Sequence, residues 1–140
     1  MGTQSTTGHN VRQAVPLFEV RDMAASLRFY VDGIGFRMTH HWIDQGTVRW
    51  CWLELGGAAV MLQEYRQDRV PDSSVGIGVS INFVCRDALD LYRDFTSRGL
   101  AAGRPFVGNA MWVTPLTDPD GYKLSFESPT DAPEETTWSG

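Results

Sequence analysis

The sequence predicts an α+β chain made of two tandem βαβββ modules whose mixed sheets curl around a cavity. Two observations point there. The order strand, helix, three strands is read twice within 140 residues. Matching residues also recur 65 positions apart: Phe18, Arg21, Asp22 and Arg28 return as Phe83, Arg86, Asp87 and Arg93, and Tyr30 meets Phe95. Self-similarity at a fixed offset, joined to a repeated element order, marks an internal duplication. Each module is expected to bury one sheet face under its helix and leave the other free. Two such free faces, brought together, enclose a cavity.

The first module spans residues 14–66. A strand is expected over 15–20, and Asp22 caps a helix over 23–32 in which Leu27, Tyr30 and Ile34 recur at helical spacing. Gly33 and Gly35 stop that helix. Strands follow at 36–43, 47–55 and 58–65, with Asp44-Gln45-Gly46 and Gly56-Gly57 as turns. Residues 67–76 read as a linker. The second module, 77–128, repeats the order: a strand at 78–85, a helix over 88–98 capped by Asp87 and ended by Gly99, and strands at 101–107, 111–117 and 122–127. Asp118-Pro119-Asp120-Gly121 joins the last two strands. Proline presets φ, while the Asp-Gly pair supplies an acceptor and a residue tolerant of positive φ, so this is a hairpin turn. Residues 1–13 read as a flexible N-terminal arm, and 129–140 as an acidic tail rich in Pro and Thr.

Composition narrows the function classes. The apolar share of 42% against 21% charged residues is that of a globular chain rather than a disordered one. Three of the charges behind the net −5 lie in the tail, at Asp131, Glu134 and Glu135, so the body is only mildly acidic. Nucleic acid, which requires a basic face, is disfavoured as a partner. No apolar run approaches the ~20 residues of a membrane span, and no signal-peptide core is present. A soluble cytoplasmic protein is the expectation. Cys51 and Cys85, both in strand-like runs, are read as thiols in a reducing compartment.

The chain resembles the vicinal oxygen chelate superfamily of glyoxalases, bleomycin-resistance proteins and ring-cleaving dioxygenases. The likeness is carried by Val20-Arg21-Asp22-Met23, Ser26 to Tyr30, Gly33-Ile34-Gly35-Phe36, and Asp118 to Gly121 with Leu124. The resemblance covers about residues 14–128 and implies the fold, not an activity. In metal-binding members four inward strand positions carry His or Glu, and these fall here on Val15, Leu62, Ser80 and Ser125. Such metals need nitrogen, thiolate or carboxylate donors, so no metal and no cofactor is expected. Glu19, Glu64 and Glu127 share the expected cavity face. Either they form an oxygen site for Mg²⁺ or Ca²⁺, or, the preferred reading, they are solvated or salt-bridged strand ends. His40 and His41 are adjacent on a strand and point to opposite faces, so they cannot chelate together.

The binding residues expected instead are Trp42, Trp50, Trp52, Leu62, Glu64, Ser80, Asn82, Phe106, Trp112 and Ser125. Trp50 and Trp52 alternate with Cys51, Leu53 and Leu55. Packed under the helix the two Trp would be core; facing the cavity they make an aromatic wall. The small Cys51 and the aliphatic leucines suit the helix side, which favours the wall. Among relatives the metal-free bleomycin-resistance proteins are the nearest likeness, and that resemblance implies a homodimer. The leading expectation is therefore a non-catalytic protein that sequesters an aromatic or cationic small molecule, a bleomycin-type antibiotic among them. A glyoxalase-like lyase, isomerase or dioxygenase is the alternative. A structural module with a vestigial groove is the third.

Overall fold

The computed structural model describes residues 8–140. Most of the expected N-terminal arm, residues 1–7, lies outside the described residues. The first module comprises β1 (Leu17–Val20), α1 (Met23–Leu27), β2 (Arg37–Asp44), β3 (Thr47–Leu55) and β4 (Ala58–Glu64). The second comprises β5 (Ser80–Val84), α2 (Ala88–Ser97), β6 (Phe106–Gly108), β7 (Met111–Thr117) and β8 (Lys123–Pro129). Strand order is β1-β4-β3-β2 in one sheet and β5-β8-β7-β6 in the other. In each, the first and last strands of the module run parallel and the remaining pairs antiparallel. The duplication read from Phe18/Phe83 and Asp22/Asp87 is thus present in topology. The two sheets stay separate, and among the described residues no ladder joins them.

Both helices start on the paired aspartates. Asp22 accepts the Ala25 N–H at 3.1 Å, and Asp87 accepts the Asp90 N–H at 3.0 Å. The first helix does not stop at Gly33. It runs on as a π-helical turn over Arg28–Ile34 and ends at Gly35, where φ is +110°. Gly33 is there for space: a Cβ would lie 2.7 Å from Leu100 Cδ2. The strand expected at 101–107 also shrinks, to Phe106–Gly108. Pro105 has no N–H to pair, and Gly103 packs against Pro115 instead.

One core serves both modules. Val20, Tyr30, Ile34, Cys51, Leu53, Val60 and Leu62 of the first join Phe95, Leu116, Leu124 and Phe126 of the second. Full burial of side chains such as Leu53 and Leu62 contributes about 1.5–3 kcal/mol each. Phe83 bridges the halves, stacking on Phe126 at 4.8 Å and meeting Phe36 edge-on at 6.0 Å. The linker is docked rather than loose, since Arg21 Nη2 donates to the carbonyls of Pro71 and Ser73.

The tail folds back on its own chain. Thr137 bridges Phe106, and main-chain bonds link Val107 with Thr136 and Glu135, and Pro105 with Trp138. The Glu134 carboxylate accepts the N–H groups of Asn109 and Ala110. Trp138 packs edge-on against Tyr92 of α2, under the Arg93 guanidinium. These bonds hold the segment along β6.

Candidate functional site

Each sheet leaves the face opposite its helix uncovered. On the first sheet the ladders set Trp42 opposite Trp50, His40 opposite Trp52, Trp50 opposite Gln63 and Trp52 opposite Met61. Alternation sends the intervening Cys51 and Leu53, with Val60 and Leu62, to the face under α1, where each is fully buried. Trp50 and Trp52 are half-buried and Trp42 is 57% exposed. Three tryptophans therefore share one accessible surface.

A β-bulge at Thr39 helps assemble that surface. Met38 pairs with Leu53 on the core side, and after the shift His40 pairs with Trp52 on the open side. His40 meets Trp52 edge-on at 6.4 Å. Glu54 Oε2 accepts Trp52 Nε1–H at 2.8 Å and the Thr39 hydroxyl at 3.5 Å, while Thr39 Oγ1 lies 3.1 Å from His40 Nδ1. Thr39 has one hydroxyl proton and two lone pairs, so it can donate to Glu54 while accepting Nδ1–H of His40 in the tautomer that carries that proton. Beyond Trp42 the face opens into a pocket of about 440 Å³, lined also by Asp44, Gln63 and Arg66.

On the second sheet Asn82 stands opposite Ser125, Ser80 opposite Lys123, and Phe106 opposite Val113. Ser80, Asn82, Ser125 and Phe106 thus occupy the open face, with Glu127 beside Val113. Three expected site residues do not. Leu62 is fully buried under α1, because β4 turns Met61 and Gln63 outward and matches Val60 and Leu62 to Leu53 and Cys51. Glu64 follows the phase of Leu62. It pairs with Arg49 and borders the pocket at Trp42 rather than the tryptophan face. Trp112 lies on the α2 side, in phase with Thr114, whose hydroxyl donates to the Ala88 carbonyl at 2.7 Å. Met61 and Gln63 were missed, although their alternation with Val60 and Leu62 is readable, and Glu54, in phase with Trp50 and Trp52, was not counted among the binding residues.

The donor set does not fit a divalent transition metal. Val15 is hydrocarbon, Leu62 is buried under α1 with only the thioether of Met61 and the neutral amide of Gln63 turned outward beside it, Ser80 and Ser125 are neutral hydroxyls, and no group of three His, Cys, Asp or Glu among the described residues is placed to hold an ion. The Glu19–Glu64–Glu127 oxygen site fails because Glu64 is turned away and engaged by Arg49.

The shifted titrating groups lie in the core and at the junction between modules. Burial pushes the Tyr30 hydroxyl up strongly, and the neighbouring Asp118 charge adds to it. Burial also raises Asp118, opposed by hydrogen bonds from Tyr122, Tyr30 and Asp120. Tyr122 is raised by burial and then by Tyr65. Burial lifts the Cys51 thiol to about 11 and raises Cys85, so neither is a poised nucleophile.

A model of the Glyoxalase/Bleomycin resistance protein/Dioxygenase superfamily matches residues 14–126. The chain belongs to that superfamily. A search of curated proteins by sequence finds no match. Among solved structures, TnmS3, an antibiotic binding protein from Streptomyces sp. CB03234, is 21% identical, spanning 87% of this chain and 100% of that one with a TM-score of 0.65. TioX from Micromonospora sp. ML1 is 18% identical over 84% of this chain and 99% of that one, with a TM-score of 0.64. A glyoxalase/bleomycin resistance protein/dioxygenase from Nocardioides is 12% identical over 95% and 93%, with a TM-score of 0.68. At these identities the likeness is one of fold. Among the described residues of this superfamily member, no helix is long and apolar enough to cross a membrane.

Proposed function

We propose that the protein binds and sequesters an aromatic or cationic small molecule, of the bleomycin-type antibiotic class, without metal-dependent turnover. The observation that carries this reading is the shared face of Trp42, Trp50 and Trp52, with the Glu54 carboxylate hydrogen-bonded beside Trp52. Tryptophan faces stack on planar groups and attract cations, and a nearby carboxylate adds to the second effect. The antibiotic binding named for TnmS3, a protein of the same fold, supports it. Ser80, Asn82, Phe106 and Ser125 supply the polar points and a further aromatic on the second open face. A second copy of the chain covers these faces, making a homodimer that works in the cytoplasm with both cysteines as free thiols.

Tryptophan-fluorescence titration with metal-free bleomycin tests the reading. Saturable quenching at micromolar ligand is expected, and a flat titration into the high micromolar range sinks it. Sedimentation of the same samples reads the dimer. The alternative, an enzyme, is favoured by one contact set, the Thr39 hydroxyl between His40 and Glu54, which places a base beside a carboxylate. A stoichiometric transition metal in the purified protein would move the assignment to a glyoxalase-like lyase or dioxygenase.

A further inference from the structure

The modules meet at two pseudo-equivalent corners, and only one is filled. At the filled corner the β7–β8 turn reaches the strand–helix junction of the first module. Asp120 Oδ1 accepts Arg21 Nη1–H at 3.1 Å, and Asp118 Oδ2 accepts the Tyr30 hydroxyl at 2.8 Å. The duplication names the counterpart residue by residue. Arg21 corresponds to Arg86 and Tyr30 to Phe95, while the β7–β8 turn corresponds to the β3–β4 turn, where Gly56-Gly57 replaces Asp-Pro-Asp-Gly.

That glycine turn offers no carboxylate. Among the described residues Arg86 makes neither an ion pair nor a side-chain hydrogen bond. A cleft of about 780 Å³ stands in place of the clamp, bounded by Gly56, Gly57, Arg86, Leu91 and Phe126. The other cation at the cleft, Arg98, is committed: it donates to the Gly33 and Ile34 carbonyls and pairs with Asp94. Asp87, next to Arg86, caps α2. The free edge of β5 adds main-chain polarity. Cys85 N–H goes to the Glu127 carbonyl, so alternation turns the amide groups of Asn82 and Val84 away from β8.

We propose that this cleft binds a monocarboxylate with an elongated apolar body, the carboxylate on Arg86 and the chain between Leu91 and Phe126. The filled corner shows what completes an arginine at this position, namely a carboxylate. The cleft volume lies in the range of small-molecule sites, and a guanidinium fork matches a carboxylate in two hydrogen bonds. No tryptophan lines the cleft. Occupancy there is therefore read separately from the tryptophan face, and either assignment can fail alone.

Cys85 lines the cleft, whereas Cys51 is fully buried, so alkylation of Cys85 reports on occupancy. The probe is decanoate below its micelle-forming concentration, added to the full chain, with iodoacetamide labelling followed by mass spectrometry. Saturating decanoate slows Cys85 labelling, and Arg86→Ala raises the decanoate needed for half-protection about tenfold, the value of a charge-assisted hydrogen bond. Gly57→Asp, at a position with open space for a side chain, returns the missing carboxylate and abolishes protection. Unchanged labelling in decanoate overturns the proposal. So does equal protection by decyltrimethylammonium, or protection undiminished in Arg86→Ala.

Discussion

The Tyr30 hydroxyl donates to Asp118 Oδ2 at 2.8 Å, tying the helix of the first module to a turn of the second across 88 residues of chain. The other carboxylate oxygen accepts the N–H groups of Asp120, Gly121 and Tyr122 at 2.8–2.9 Å. One side chain thus shapes the hairpin turn and locks the modules together. The Asp-Pro-Asp-Gly stretch is architectural: its acidic groups are consumed inside the fold.

Tyr30→Phe removes the donor and leaves a buried carboxylate oxygen with one bond fewer. The expected loss is about 2 kcal/mol, the cost of an unsatisfied buried acceptor. Urea denaturation measures it. An unchanged midpoint would show that the bond contributes nothing net.

The buried Cys51 thiol makes stability depend on pH in the alkaline range. Its folded value of about 11 exceeds its ordinary 9.0, so the fold favours the neutral thiol. That contribution is complete below pH 9 and is lost as pH rises through about 11. The urea midpoint is expected to fall across this window, and more gently in Cys51→Ala. The slope remaining in the variant belongs to Cys85, Tyr30 and Tyr122, which burial also raises. Equal slopes in both proteins would remove Cys51 from the account.

The two sides of the sheets predict a division of labour among the tryptophans. Trp50→Ala and Trp52→Ala should each weaken ligand binding about tenfold, as loss of a stacking or cation–π contact does. Trp112→Ala, on the α2 side, should lower the melting temperature and leave affinity unchanged. Fluorescence titration and thermal denaturation of the three variants separate these outcomes. Equal affinity loss in Trp112→Ala would mean that the site extends through the second sheet.

Most of the fold was legible because its signals are local. The aspartate caps at Asp22 and Asp87, the turn at Asp118 to Gly121, and the repeat linking Phe18 to Phe83 each follow from a few neighbouring residues. The phase of β4 was not legible from a family pattern, because a one-residue slip exchanges faces, and Leu62 went to the wrong one. Alternation alone would have found Met61. Gly33 looked like a stop because its reason, the approach of Leu100, lies far along the chain. The docking of the tail was not legible for the same cause, since its partners are Tyr92, Arg93 and β6.

Those partners give the tail a measurable weight. Truncation after residue 129 removes the Thr136–Val107 and Trp138–Pro105 bonds and the Trp138 packing on α2. A loss of about 2–3 kcal/mol is expected, a few net hydrogen bonds plus an aromatic contact. It also bares the β6 edge, so the truncated chain should associate at high concentration. Light scattering checks this, and a shortened protein as stable and dispersed as the parent would refute it.

Thr39 works as a selector. Were Thr39 taken into the ladder instead of bulging, Met38 would stay against Leu53, but His41 would land opposite Trp50 and Trp42 would swing under the helix side. Whether this one residue bulges or pairs therefore rewrites the chemistry of the surface wholesale, trading an imidazole and an indole for different neighbours while β3 stays as it is, whereas deleting it would leave His40 and Trp42 where they are. Sister proteins with identical β3 and β4 could diverge in what they capture through this single hinge of register.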